Sequence, residues 1–220
     1  MDFAALRLSL LLSALTTAAL LAVGLPIAHW LTTTRWRFKV LVEAVVALPL
    51  VLPPTVLGFY LLVAFGPHSP LGRAFVAATG HTLAFSFEGL LVASVLYSLP
   101  FAVQPFAAAL ARVDQRLVEA SYTLGESRLA TFRRVTLPLA VPGGVAGAVL
   151  TFAHTLGEFG VVLMVGGNLP GATRTLSISI YNAVEQLDYA SAGRTSLLLL
   201  ALSFSVLVVT YTLQRRSLLA

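Results

Sequence analysis

His154 and Glu158 stand four residues apart inside a long apolar run, in Thr151-Phe-Ala-His154-Thr155-Leu-Gly-Glu158-Phe-Gly160. On a continuous helix that spacing stacks the two on one face, with the hydroxyls of Thr151 and Thr155 beside them. An ionisable side chain in the middle of a membrane span costs about 3 kcal/mol or more, so it faces a bundle interior or a water path. Thr151, His154, Thr155 and Glu158 are therefore expected to belong to a pore or gate, with a structural role as the alternative. Glu158 left unpaired would repel an anion. Its expected task is to hold His154, or a cation of another helix, rather than to touch anionic cargo.

Chemistry of other kinds finds little support. A phosphate-binding loop needs Gly-Lys followed by Ser or Thr, and the single lysine, Lys39, sits between Phe38 and Val40. With no cysteine there is no thiol nucleophile, thiolate site or disulfide. Gly125-Glu126-Ser127 runs into Arg128 in a polar loop, where an intramembrane serine nucleophile would not lie. The carboxylates are scattered, which suits no two-metal site. His29, His68 and His81 lack ligand spacing, so no metal is expected. No catalytic residue is assigned, and any energy from ATP must come from another chain.

The other informative stretch is the polar island from Arg112 to Pro138, set between two apolar runs. Asp114 can cap a short helix whose small apolar face is Leu117, Ala120, Ser121 and Leu124. Gly125 suits the left-handed residue that ends such a helix, and Ser127 can start a second one. Pro138 fits the first turn of the span that follows. Two short helices bent on a glycine result, at a membrane surface where a partner can grip them. An ordinary basic loop would instead simply pair Glu119 with Arg116 one turn back.

Glu119-Ala120-Ser121, three residues, Gly125, nine residues, Val135-Thr136-Leu137-Pro138 resembles the coupling loop of ABC import permeases. The pattern there is Glu-Ala-Ala, three residues, Gly, nine residues, Ile-x-Leu-Pro. Ser121 replaces the second alanine and Val135 the isoleucine. The resemblance implies that Leu117, Glu119, Ala120, Ser121, Leu124, Gly125, Val135, Leu137 and Pro138 dock onto a cytoplasmic ATPase.

The elements that must carry these residues follow from composition. The chain has 220 residues, 58% hydrophobic and 10% charged, which identifies an integral membrane protein. In such a chain a net charge of +5 reports loops on the cytoplasmic side and no nucleic acid. The N-terminal run is too long for a signal peptide, and Asp2 precedes its one Arg7. Five spans of about 20 apolar residues are predicted, over 6–31, 40–65, 85–110, 139–165 and 192–213. Placing the 112–138 loop inside puts ten of the fourteen basic residues there, including Arg35, Arg37, Lys39, Arg215 and Arg216. The N-terminus is then outside and the C-terminus cytoplasmic. Glu43 and Glu88 fall near span ends, where they can snorkel. Pro49, Pro53 and Pro54 in the second span, and Pro100 and Pro105 in the third, predict bent or broken helices. One domain, residues 1–220, is expected.

Outside the membrane, 177–186 reads as a short surface helix and 66–82 as a looser connection. Gly166-Gly167-Asn168-Leu169-Pro170-Gly171-Ala172-Thr173-Arg174-Thr175 reads as a flexible turn ending in a cation and hydroxyls. Asn168, Arg174 and Thr175 are its candidate residues. This segment, with Gly157-Glu-Phe-Gly160 and Leu48-Pro49-Leu50-Val51-Leu52-Pro53-Pro54, resembles the molybdate permeases of ABC importers over nearly the whole chain. Sulfate and thiosulfate permeases are similar enough to remain alternatives, and an ion-coupled secondary transporter is the rival of a different class. The resemblance implies an all-α type I importer permease with two cytoplasmic ABC ATPase subunits and an extracytoplasmic oxyanion-binding protein. ATP and Mg would be used by the ATPase, with no cofactor on this chain. The cargo implied is molybdate, with tungstate possible. Five spans are too few to enclose a wide path, so a homodimer in membrane lipid is expected.

Overall fold

The structure, a computed structural model, describes residues 2–219, and every regular element among them is helical. In chain order these are α1 Phe3–Thr33, α2 Lys39–Val51, α3 Pro54–Phe65, α4 Pro70–Thr79 and α5 Phe87–Ala111. Then come α6 Gln115–Thr123, α7 Arg128–Thr131, a π-helical turn Phe132–Thr136 and α8 Leu137–Gly157. The chain closes with α9 Gly160–Gly166, α10 Leu176–Glu185 and α11 Tyr189–Leu219. Ala220 and the side chains of Arg215 and Arg216, placed on the cytoplasmic side from sequence, lie outside the described residues.

Four helical stretches are each long and apolar enough to cross a membrane: Phe3–Thr33, Phe87–Ala111, Arg128–Gly157 and Tyr189–Thr212. A fifth crossing needs α2 and α3 together, and these are bent by 112° at their junction. The second span, where Pro49, Pro53 and Pro54 predict a bent or broken helix, is broken. The cause is local. Leu52 and Pro53 each precede a proline, which excludes both from the helical region, and both are extended. The prolines of the third span behave differently: α5 runs unbroken through Pro100 and Pro105.

Buried clusters order the helices by depth. At one end Leu8 and Leu12 of α1 pack with Leu90 of α5, Val162 of α9 and Ile178 of α10. At the other, Ala28 and Leu31 pack with Val46, Val103, Phe106, Leu110 and Ala140. Helices α1 and α5 therefore run parallel and in contact, and α8 returns against both. α2 contributes to the cluster at the loop end, whereas Phe65 of α3 packs with Leu83, Ala93 and Val165 at the opposite end. The broken pair climbs from one end to the other, which makes it a traverse.

Small residues let α8 approach α5. A Cβ on Gly143 would overlap Ala109 and come within 2.8 Å of the Pro105 carbonyl, and one on Gly147 would lie 3.1 Å from the Ala102 carbonyl. This four-residue glycine spacing is how helices associate where lipid removes the hydrophobic drive. The connection at 66–82, expected to be loose, holds α4, capped by Ser69 and closed by Gly80 in the left-handed region.

Candidate functional site

Two helix breaks meet at one depth. α8 stops at Gly157, Glu158 is extended (φ −63°, ψ 136°), and helix resumes only at Gly160. Gly160 lies directly against the break in the second traverse, since a Cβ there would be 2.6 Å from Pro54 Cβ. Gly58 likewise lets α3 lie on α9, where a Cβ would come within 2.7 Å of Met164 Cβ. Between the breaks is a cavity of about 440 Å³ lined by Pro54, Thr55, Tyr97, His154, Glu158 and Phe159.

The break corrects one expectation. Helix α8 ends at Gly157 with Glu158 as its capping residue, and His154 and Glu158 both face α5 without holding each other. No ion pair joins them among the described residues. Each reaches α5 instead. Ser94 Oγ donates to Glu158 Oε2 at 3.0 Å, while Oε1 is buried without a partner. His154 Nδ1 lies 2.9 Å from Ser98 Oγ, which also contacts Thr155 Oγ1 at 3.0 Å. The imidazole stacks on Phe101, ring centres 4.0 Å apart, with Tyr97 on its other flank at 4.9 Å. Thr151 is fully buried, its hydroxyl unpartnered. Ser94, Tyr97, Ser98 and Phe101 fall at i, i+3, i+4 and i+7 of α5. That polar and aromatic stripe was readable in the sequence and is absent from the residues singled out there, as is Thr55.

The 112–138 loop follows its local chemistry closely. Asp114 caps α6 by accepting from the Arg116 N–H. Gly125 adopts φ +86°, its N–H donates to the Tyr122 carbonyl, and the Glu126 N–H donates to the Ser121 carbonyl. Those two bonds are the helix-ending pattern that a left-handed glycine permits. Ser127 caps α7 by accepting from the Ala130 N–H. Two details differ from expectation. Ser121 does not share the outward face: it is buried against Thr131, hydroxyl to hydroxyl at 2.9 Å, leaving Leu117, Glu119, Ala120 and Leu124 exposed. Nor is the second helix separate, because Arg128–Gly157 is one helical stretch. The π-helical turn, with the Leu137 N–H donating to the Phe132 carbonyl, leads into the first turn of α8, where Pro138 sits beside Val135 and Leu137. Glu119 pairs with no cation among the described residues. It is Glu126 that bridges to Arg134.

At the other end the turn after α9 is tied down rather than loose. Arg174 Nε donates to Asn168 Oδ1, and Asn168 Nδ2 donates to Asn182 Oδ1 at 3.1 Å. The Arg174 guanidinium also lies 3.9 Å from Asp2, which holds the start of α1 to this turn. Thr175 is buried and caps α10, and Thr173 Oγ1 donates to the Gly166 carbonyl. The hydroxyls expected at the surface are thus used internally. Asn168 and Arg174 come together, and Thr175 does not join them.

The family described as "Binding-protein-dependent transport system inner membrane component" matches residues 20–218. The chain is 52% identical over 214 residues to the "Molybdenum transport system permease protein ModB" of Azotobacter vinelandii, covering 97% of this chain and 95% of that one. It is 37% identical over 217 residues to the protein of the same name from Escherichia coli K12, covering 98% and 95%. Among solved structures it superposes on a bacterial ABC transporter that imports the acidic polysaccharide alginate, with TM-score 0.80, 16% identity, and 97% and 79% of the two chains covered. The MetNI methionine ABC transporter gives TM-score 0.74 at 20% identity, covering 98% and 95%. At those identities the two structures speak for the fold alone, which is that of type I importer permeases.

Proposed function

The chain belongs to the family of binding-protein-dependent transport system inner membrane components, and we propose that its cargo within that family is molybdate. It is a multi-pass transport subunit of an ABC importer. The observation that carries the cargo is the 52% identity, over nearly the full length of both chains, to a molybdenum permease.

In this reading two copies of the single-domain chain surround one path, with separate ATPases bound at α6 on the cytoplasmic side. A binding protein docks at the end that holds Asp2 and Arg174. The exposed residues Leu117, Glu119, Ala120 and Leu124 form the grip, and Ser121 braces α6 on α7 from behind. ATP-driven closure moves α6 and, through the continuous Arg128–Gly157 helix, displaces the break at Glu158. The hydrogen-bond ladder is already interrupted at Pro53 and Glu158, so α3 and α9 can tilt there cheaply. Thr55 and Tyr97 offer neutral hydroxyls to a passing tetrahedral dianion, a hold weak enough for release. Glu158, tied to Ser94, shapes the break and does not contact the anion.

Reconstitution with a cognate ATPase and binding protein tests this reading. ATP-dependent uptake of molybdate and tungstate is expected, with little sulfate. Uptake driven by an ion gradient without the ATPase would overturn it, and sulfate as the preferred cargo would overturn the assignment of molybdate.

Orientation has its own test in this cysteine-free chain. Single cysteines at the exposed positions His68 and Glu119 should label with an impermeant thiol reagent from opposite sides, His68 from outside and Glu119 from the cytoplasm. Labelling of both from one side would remove the five-traverse topology.

A further inference from the structure

We propose that the cavity enclosed by the ends of α1, α2 and α5 and by the loop helices α6 and α7 binds the phosphate headgroup of an anionic phospholipid. Its volume is about 1050 Å³. Arg35, Lys39 and Arg128 line it, against a single carboxylate, Glu43. That carboxylate touches only Lys39, at 3.9 Å between two well-exposed side chains. Arg35 and Arg128 pair with no carboxylate among the described residues. His29, also in the wall, has a buried Nδ1 without a partner, its ring packed on Phe132 with centres 4.5 Å apart. The cavity therefore has a surplus of positive charge and idle polar atoms.

Its lining is amphipathic from the helix ends inward. Arg35 lies in the α1–α2 connection and Lys39 opens α2, at the level where the helices end. Val46, seven residues further along α2, packs with Val103, which lies seven residues back from Leu110 on α5 and beside Gln104. Cations at the surface with an apolar wall one to two turns below match a lipid phosphate with the start of an acyl chain. Basic pockets of this kind between spans suit anionic headgroups. A small tetrahedral oxyanion would leave most of the space empty and use none of the apolar wall. Gln115, Val118 and Tyr122 of α6 complete the lining, so an occupying lipid would brace the helix that carries the docking residues.

The test uses the full chain, purified in mild detergent and equilibrated with equal amounts of phosphatidylglycerol and phosphatidylcholine of the same acyl chains. Native mass spectrometry should show preferential retention of phosphatidylglycerol. The preference should fall about fivefold for each cation removed, in Arg35→Gln and Arg128→Gln. Arg128→Lys should keep most of it, and Arg73→Gln, exposed at the opposite end, should keep all of it. Equal retention of the two lipids by the wild type, or an undiminished preference in the Arg35→Gln/Arg128→Gln chain, would overturn the proposal. Displacement of phosphatidylglycerol by millimolar molybdate or inorganic phosphate would do so too, by assigning the cavity to a free oxyanion. If the double variant does not fold, the wild-type lipid comparison and the displacement arm still decide.

Discussion

Gly125→Val is expected to abolish ATP-driven uptake while leaving the chain inserted and dimeric. A Cβ at this position would meet no atom within 4 Å, so crowding is not the cause. The cause is the backbone. Gly125 sits at φ +86°, where a β-branched residue costs about 1–2 kcal/mol or more, and the loop can relieve that cost only by moving. Movement breaks the paired bonds from the Gly125 and Glu126 N–H groups and shifts α6 relative to α7, separating Ser121 from Thr131. Of this loop only Phe132 packs on the buried clusters of the spans, so assembly should persist. Gly125→Asn is the discriminating control, because asparagine tolerates the left-handed region and should keep most activity. Co-purification of the ATPase, and the ratio of ATP hydrolysed to anion taken up, would be measured for both. Full ATP-driven uptake in Gly125→Val would show that this loop does not couple the subunits.

The loop was legible because its signals are local. Asp114, Gly125 and Ser127 each act on backbone groups within a few residues, so residue type and spacing determine the conformation. What could not be read there is the direction of Ser121, which depends on Thr131 ten residues away packing back against it. The spans show the same division. Pro53-Pro54 announced a break, but its 112° bend needs Gly58 and Gly160 to let two traverses touch. The break at Glu158 lay hidden inside a largely apolar run, where hydropathy over a window of span length is blind to a single extended residue. Arg174 and Asn168 could be named from a polar turn, yet the tie to Asp2 joins residues at the two ends of a long separation. The partners of His154 and Glu158 were invisible for the same reason: they sit more than fifty residues away on α5.

Those partners change what substitutions at the gate should do. Glu158→Leu should lose most uptake while the protein still accumulates in the membrane, because Ser94, freed of its acceptor, can turn to its own helix backbone. Ser94→Ala should do the reverse in stability. It strips Oε2 of its donor beside an Oε1 that has none, and leaving such a group buried costs about 1–3 kcal/mol. The Ser94→Ala/Glu158→Leu chain should recover that loss, since neither polar group is then left alone, but it should not recover transport. The pair His154 and Glu158 should behave differently. An intrahelical pair at i, i+4 would make the double leucine variant less harmful than the two single losses combined. With His154 bonded to Ser98 and Glu158 to Ser94, no contact joins them, and their coupling should be smaller than that between Ser94 and Glu158. Thermal unfolding in detergent and uptake in vesicles, measured on the same four-variant cycle, separate the two arrangements. A coupling between His154 and Glu158 as large as that between Ser94 and Glu158 would mean that the two side chains meet in the working state, which their ties to Ser98 and Ser94 prevent here.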